Sequence, residues 1–366
     1  MNTAYQVFVR NRLGKRVEMV NDFSSLSMTL NYNKAGKWTL ILAAGTDAAR
    51  ALEEEQSGII VTKNGKTVMS GLKRKMKRDW DRSKDTLEIN GVDDLGWLEN
   101  RTLYPDPAGP PFNTEYDTRV GAAESVIKAY IQHNFGLLAR TERRIPGLLV
   151  ERDYGRGNTV RGDARFHSAP AFLEGLALIG EIGYRIVDMV FETYIPKKNQ
   201  SVLFGADWGN LSAFSYAVEA PKANCVIARG KGSGKAAYAE AADSDSIRRW
   251  GRIEMFVNES STASEEKLLQ KANETLAKNG ERISLTITPN EFGYAFGEDY
   301  DIGDIVRVDL DSGSVEGQVQ QATITINQSG ETVKPVIGTS GEQGAVLELF
   351  AKMDDLDGRV SELEAV

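Results

Sequence analysis

A mostly β, α+β architecture is predicted for this chain, and three observations predict it. Apolar and polar side chains alternate through much of the first hundred residues; helical spacing replaces the alternation after a proline cluster at 104–111; and strand signals return from Ser201 onward. These switches of period mark out a β domain over 1–105, a small α/β unit over 106–200 and a second β domain with one helix over 236–338. A helical tail over 345–366 follows.

The first alternation sets Leu26, Met28, Leu30 and Tyr32 on one side of a strand, and Trp38, Leu40 and Leu42 repeat it after a Gly-containing turn. Ile59 to Thr62 and Thr67 to Ser70 flank Lys63-Asn64-Gly65-Lys66, where Asn-Gly tolerates the positive φ angles of a tight hairpin turn. Leu87, Ile89 and Val92 continue the pattern up to Tyr104–Pro111, whose prolines fit neither a helix interior nor a central strand, so a domain boundary is placed there.

Beyond it, Val120, Ala123, Val126, Ile127, Tyr130 and Ile131 follow helical spacing, with Asp117 or Thr118 as the expected N-cap and Gly136 just past the end. A second helix is expected from Pro170 to Ile179, leading through Gly180 and Gly183 into one strand, Tyr184 to Tyr194. Thr262-Ala263-Ser264-Glu265 has capping-box spacing, and Leu268, Leu269, Ala272 and Leu276 then share a helix face up to Gly280. Alternation resumes at Ile283, Leu285 and Ile287, at Ile305, Val306 and Val308, and at Ala322, Ile324 and Ile326 before the turn Asn327–Gly330.

Val346, Leu349, Met353, Leu356, Val360 and Leu363 keep a 3-4 spacing over about three heptads, the seam of a coiled coil. Lys352 and Arg359 fall at g, Asp357 and Glu364 at the following e, so identical parallel chains pair opposite charges. A helix this short is marginal alone in water and reads as a clasp on an oligomer held elsewhere. Val at two a positions with Leu at every d leans toward two strands, a preference that Met353 and Phe350 dilute. An amphipathic helix packed on its own domain is the competing reading.

A net charge of −8 argues against a sequence-independent grip on DNA, which relies on cations neutralising phosphates. The opening residues do not read as a signal peptide, and no run approaches the roughly 18 apolar residues of a membrane span. The single cysteine, Cys225, excludes an intrachain disulfide and a Cys-rich zinc site, fits synthesis in a reducing cytoplasm, and is expected as a buried, inert thiol.

Chemistry-bearing motifs are thin. Gly230–Lys235 suggests a phosphate loop but has Arg229 and Ala236 where Gly and Ser or Thr are required, so a mobile Gly/Lys loop is expected. Gly155-Arg156-Gly157 lacks a third glycine at Val160 and is read as a turn, as are the acidic stretches Asp299–Asp304 and Asp309–Gly313, whose offsets do not suit Ca²⁺. The basic run Lys73–Arg78 is read as a solvated strand face, with a channel-lining face as the sharper alternative. His133 and His167 lie in no nucleophile or zinc motif, so no catalytic, cofactor or metal residue is assigned.

Several blocks resemble the siphophage proteins called Gp37-like, relatives of tail-hub proteins at the tip of long-tailed phages. They are Asp93–Arg101 with Pro105-Asp106-Pro107, the helix Ala122 to Phe135 with Arg144–Leu148, Val202–Leu211 with Pro221–Asn224, and Tyr300–Val306. The resemblance implies two tail-tube-like β-barrel domains, at 1–105 and 236–338, with 106–200 as an insertion and 201–235 completing the first barrel, ahead of the coiled coil that the heptads place at 345–366. It implies a homotrimeric virion protein of the tail tip or baseplate hub, one that joins tail tube to tip and continues the DNA channel. The partners implied are identical copies, the distal tail protein and other tail-tip proteins, the tape-measure protein and DNA in transit, with no enzymatic activity.

Two other classes compete. A tail-associated wall hydrolase needs a cleft with paired carboxylates. A receptor-binding module would use exposed aromatics such as Trp208 or Trp250, which are expected instead as core or subunit contacts.

Overall fold

Seven strands and one short helix precede the proline cluster. They are β1 (Tyr5–Arg10), β2 (Arg16–Val20), β3 (Ser25–Asn31), β4 (Lys34–Ala43), α1 (Asp47–Glu53), β5 (Gly58–Lys63), β6 (Lys66–Trp80) and β7 (Asp85–Asp93). The structure, a computed structural model, describes residues 5–109, 113–232, 238–259, 263–290, 293–310 and 313–338. It is mostly β, with 48% strand and 19% helix. Two compact units divide the chain: the first comprises 1–199, 294–305 and 319–335, the second 200–293, 306–318 and the described residues after 335.

In the first unit the strands pair antiparallel in the order β2-β1-β5-β6-β7-β4-β3. The expected hairpin is present: Lys63 faces Lys66, with Asn64 at φ 53° and Gly65 at φ 80°, the paired positive values this turn requires. The Gly-containing turn after Tyr32 is corrected. Tyr32-Asn33 turns the chain, and Gly36 lies inside β4, where a Cβ would stand 2.5 Å from the Thr29 carbonyl and 2.8 Å from Asp93 Oδ2. The strand that joins the outer side of β3 is Gln321–Asn327, with Ala322, Ile324 and Ile326 opposite Leu30, Met28 and Leu26. Residues 201–235 fall in the second compact unit; alternation shows that a segment is a strand, and says nothing of which edge it joins. Among the described residues β2 pairs only with β1, so this strand path does not close on itself.

The inner face is built as the alternation predicts. Leu26, Met28, Leu40, Leu42, Leu87 and Ile89 are fully buried, and Trp38 is 1% exposed. Trp38 sits opposite Gly91, whose missing side chain is required: a Cβ there would lie 2.2 Å from the indole.

The rest of the first unit holds β8 (Asp117–Ala122), α2 (Ala123–Asn134), β9 (Leu149–Val150), β10 (Thr159–Ala164), α3 (Ala169–Gly180), β11 (Gly183–Val187) and β12 (Val190–Tyr194). Both helices occur, but two details are corrected. Asp117 and Thr118 do not cap α2; they pair within β8 against Ala164 and Asp163. The helix start is satisfied by main chain, Ala123 N–H donating to Asn158 (3.0 Å) and Glu124 N–H to Arg156 (3.1 Å). The single strand expected over 184–194 is a hairpin, reversed at Asp188 and Met189 with φ 49° and 63°. Asp tolerates positive φ but methionine does not favour it, so the pair lacks the Asn-Gly signature of a tight hairpin turn. Ile127, Tyr130 and Ile131 of α2, with Phe135 just past its end, pack with Leu173 and Leu176 of α3 in one core.

The second unit contains β13 (Lys198–Gly205), β14 (Leu211–Glu219), β15 (Cys225–Arg229), β16 (Tyr238–Ala242), α4 (Ser244–Trp250), β17 (Glu254–Asn258), α5 (Glu265–Asn279), β18 (Arg282–Pro289) and β19 (Ile305–Leu310), with parts of β20 (Gly313–Asn327) and β21 (Gly330–Gly338). Helix α5 is capped by Ser264, whose hydroxyl accepts from Lys267 N–H (3.4 Å); Thr262 lies outside the described residues. It covers the sheet β16-β15-β17 through Leu268 and Ala272 against Val226, Ala228, Ala239 and Ala241, small residues that let helix and sheet approach closely. Leu269, placed on the same face by its spacing, is instead 45% exposed. The heptad residues of 345–366, Val346 to Leu363 with Lys352, Asp357, Arg359 and Glu364, also lie outside the described residues.

Candidate interaction site

The first unit contains a cavity of about 490 Å³. Its floor is apolar, supplied by Leu30 of β3, Val68 and Met69 of β6, Leu95, Ile302 and Ile324. Its rim is polar and comes from the β5–β6 turn, the β11–β12 hairpin and the segment 296–302. Side-chain bonds brace the rim. Thr67 Oγ1 donates to Asp188 Oδ1 (2.9 Å), tying β6 to the hairpin turn, and Asn64 Nδ2 donates to Glu298 (3.4 Å). Arg185 bridges Glu192 and Asp301, the latter at 3.3 Å. Tyr5 OH (2.7 Å) and Lys63 Nζ (3.1 Å) both donate to Glu331.

Asp93, at the end of β7, opens on this cavity and is bonded by the N–H groups of Gly36 (2.7 Å) and Leu95 (2.9 Å). Burial pushes its carboxyl up to about 7, against the pull of the Gly36 N–H and with the added push of neighbouring Asp94. A carboxyl raised in the folded state stabilises the fold fully at acid pH, and that contribution is lost as pH rises through 7. This one group is therefore expected to lower stability, on the order of a few kcal/mol, as pH rises from about 4, its unfolded value, to about 7, its folded one. Asp93→Asn should flatten that slope. Urea midpoints measured across this range check it, and parallel slopes for the two proteins would contradict it.

Next to Asp93, Asp94 is fully buried with Arg10, whose guanidinium donates to both carboxylate oxygens (2.5 and 3.1 Å) and to Ser70 Oγ (2.9 Å). A second buried network lies in the α2–α3 core: Glu124 accepts from Lys128 (2.6 Å), from Arg156 side chain (2.9 Å) and main chain (2.8 Å), and from Thr193 (3.0 Å). Arg156 belongs to the segment read only as a glycine turn. Its partner on α2 was not singled out, because charges far apart in sequence carry no pairing signal.

The fold is shared with solved phage proteins. The structure matches the 43 kDa tail protein of prophage MuSo2 from Shewanella oneidensis with a TM-score of 0.60 at 13% identity, over 91% of this chain and 98% of that one. The tail protein from Neisseria meningitidis MC58 matches at 0.59 and 13% identity, over 92% and 97%. Prophage tail protein gp18 from Listeria monocytogenes EGD-e matches at 0.55 and 10%, over 96% and 98%. No curated relative matches the sequence. The model of the Siphovirus ReqiPepy6 Gp37-like proteins matches residues 6–339. The chain belongs to that family.

The blocks that resemble the Gp37-like family prove to be braces. Asp93 and Asp94 hold Gly36, Leu95 and Arg10, as above. Asn210 spans its turn by accepting from Gly205 N–H (2.9 Å) and donating to the Leu203 carbonyl (2.8 Å). Asn224 does the same between Gly251 and Ile253, both at 2.7 Å. In the Tyr300–Val306 block, Asp304 accepts from Asp301 N–H (3.0 Å), and Asp301 and Ile302 reach the cavity.

Other singled-out residues behave as local structure. Lys73 caps the last carbonyls of α1, Arg74 donates to Gly96 (3.0 Å) and Arg78 grips Asp85 (2.7 and 2.8 Å), while residues 74–80 are exposed along β6, as a solvated strand is. His133 ends α2, and burial, with Arg119 nearby, lowers its pKa. His167 Nδ1 accepts from Arg165 N–H (3.0 Å). Cys225 is buried, and burial with the Glu240 carboxylate pushes its thiol up. Trp208 and Trp250 are not core: they are 64% and 40% exposed. Of the Gly230–Lys235 loop, residues after 232 lie outside the described ones. Among the described residues no group of three His, Cys, Asp or Glu is placed to hold a metal, and no helix is long and apolar enough to cross a membrane.

Proposed function

We propose that the protein is a structural component of a phage tail tip, a baseplate hub that assembles as a homotrimer, joins tail tube to tip and continues the DNA channel. The observation that carries this reading is the Gp37-like family match over 6–339, with a fold shared over more than nine-tenths of the chain with three phage tail proteins. In this reading 1–105, completed by 201–235, and 236–338 are tube-like β domains that close only in the assembly, 106–200 is the inserted α/β domain, and 345–366 is the coiled-coil clasp through Val346, Leu349, Met353, Leu356, Val360 and Leu363. Two strand edges support it: β2, and the part of β6 beyond Lys73, which among the described residues pair only with β1 and β7 and so offer backbone groups that a neighbour can take up. The partners are identical copies, the distal tail protein, other tail-tip proteins, the tape-measure protein and DNA in transit. The role is architectural, not enzymatic, and its place is the virion. Immunogold labelling of purified phage with antibody to this chain is expected to mark the tail tip; label confined to material released from lysed cells, with none on particles, would refute the proposal.

A further inference from the structure

We propose that the cavity of the first unit is a receptor for an aliphatic segment bearing a lysine ammonium, presented by a partner protein. The volume, about 490 Å³, falls within the roughly 300–1,000 Å³ of ligand pockets and exceeds what one side chain fills, so two or three neighbouring side chains of a peptide fit it. Leu30, Val68, Met69, Leu95, Ile302 and Ile324 give its lining an apolar patch that suits aliphatic groups.

Charge decides what sits at the rim. Besides Asp93, whose carboxyl burial pushes up to about 7, four carboxylates among the described residues line the cavity (Asp188, Glu192, Glu298 and Asp301) against three cations, Lys63, Lys66 and Arg185. Lys63 is already engaged by Glu331, and Arg185 is shared between two of the four. Asp188 accepts one side-chain bond, from Thr67, and Glu298 one, from Asn64. A carboxylate offers about four lone-pair sites, so acceptors remain for the three donors of an ammonium group. An anionic ligand would meet net repulsion, and a purely apolar one would leave the rim acceptors unused. This inference rests on the assembly reading for the source of the segment, and on the cavity alone for its chemistry.

Saturation-transfer NMR on the full chain tests it with three probes of one shape: acetyl-Leu-Lys-Leu-amide, acetyl-Leu-Glu-Leu-amide and acetyl-Leu-norleucine-Leu-amide. The lysine peptide is expected to bind about ten-fold more tightly than the norleucine peptide, the step a charge-assisted bond provides, and the glutamate peptide to give no signal. Glu298→Lys, on an exposed loop, should weaken the lysine peptide alone; Met69→Trp should block the lysine and norleucine peptides. Equal binding of the lysine and norleucine peptides, binding that survives both variants, or no binding to the unaltered chain would overturn the proposal. A chain that binds the peptide yet stays off the virion would sink the assembly reading and leave this inference standing.

Discussion

Replacing Asp94 with alanine is expected to destabilise the first unit by about 3–5 kcal/mol, a large share of what a domain of this kind possesses. The side chains of Arg10 and Asp94 are 2% and 0% exposed. Burial pushes the Asp94 carboxyl up and the Arg10 guanidinium pulls it back, so the pair exists only because each charge answers the other. With the carboxylate gone, the guanidinium keeps Ser70 Oγ and the Met189 sulfur, neither of which carries charge to match it. The asymmetry gives the test its edge. Arg10→Met combined with Asp94→Leu removes both charges and fills the space with apolar atoms, and should recover most of the loss. Urea titration of the two proteins decides: a single variant within about 1 kcal/mol of the unaltered protein would show that the pair is not buried in solution.

The second large effect lies at Glu124. Burial alone would raise its pKa, but Arg156, Lys128, the Arg156 N–H and Thr193 all bond it and hold it well below the usual carboxylate range. Glu124→Ala removes the acceptor shared by two cations, one of which, Lys128, is 4% exposed. Glu151 remains, at 3.0 Å from Lys128 and 3.2 Å from Arg156, and is too exposed to replace it. A loss of about 3–5 kcal/mol is expected, with local consequences first. Arg156 holds the segment that closes the start of α2, so limited proteolysis should cut near Gly155–Gly157 in the variant and spare the unaltered chain. Unchanged protease resistance together with unchanged unfolding would contradict this account of the network.

Much of the strand content was legible because alternation is a local consequence of one buried face. Leu26, Met28, Leu40, Leu42, Leu87 and Ile89 are all inside, where their spacing puts them. The Asn64-Gly65 hairpin was legible for an equally local reason, since few residue pairs tolerate two positive φ angles. Connectivity was not: the alternation of Ala322, Ile324 and Ile326 marks a strand, and only tertiary packing decides that it meets β3. The start of α2 misled because its cap is main chain from 156–158, which leaves no side-chain signature near Ala122. The hairpin at Asp188-Met189 misled because Thr67 and the pairing of β11 with β12 hold a turn that Met189 does not favour. The cavity was invisible for a similar reason. Its carboxylates come from positions 93, 188, 192, 298 and 301, which read singly as caps, turns and strand faces.

If identical copies of this chain assemble as proposed, through their β domains and a C-terminal clasp, the mass of the purified protein in solution will show it. Sedimentation equilibrium of the full chain should give three times the 40.2 kDa chain mass, and a chain ending at Gly344 should give a trimer that dissociates at lower dilution. A monomer at 40.2 kDa for both, across the accessible concentration range, would contradict the account.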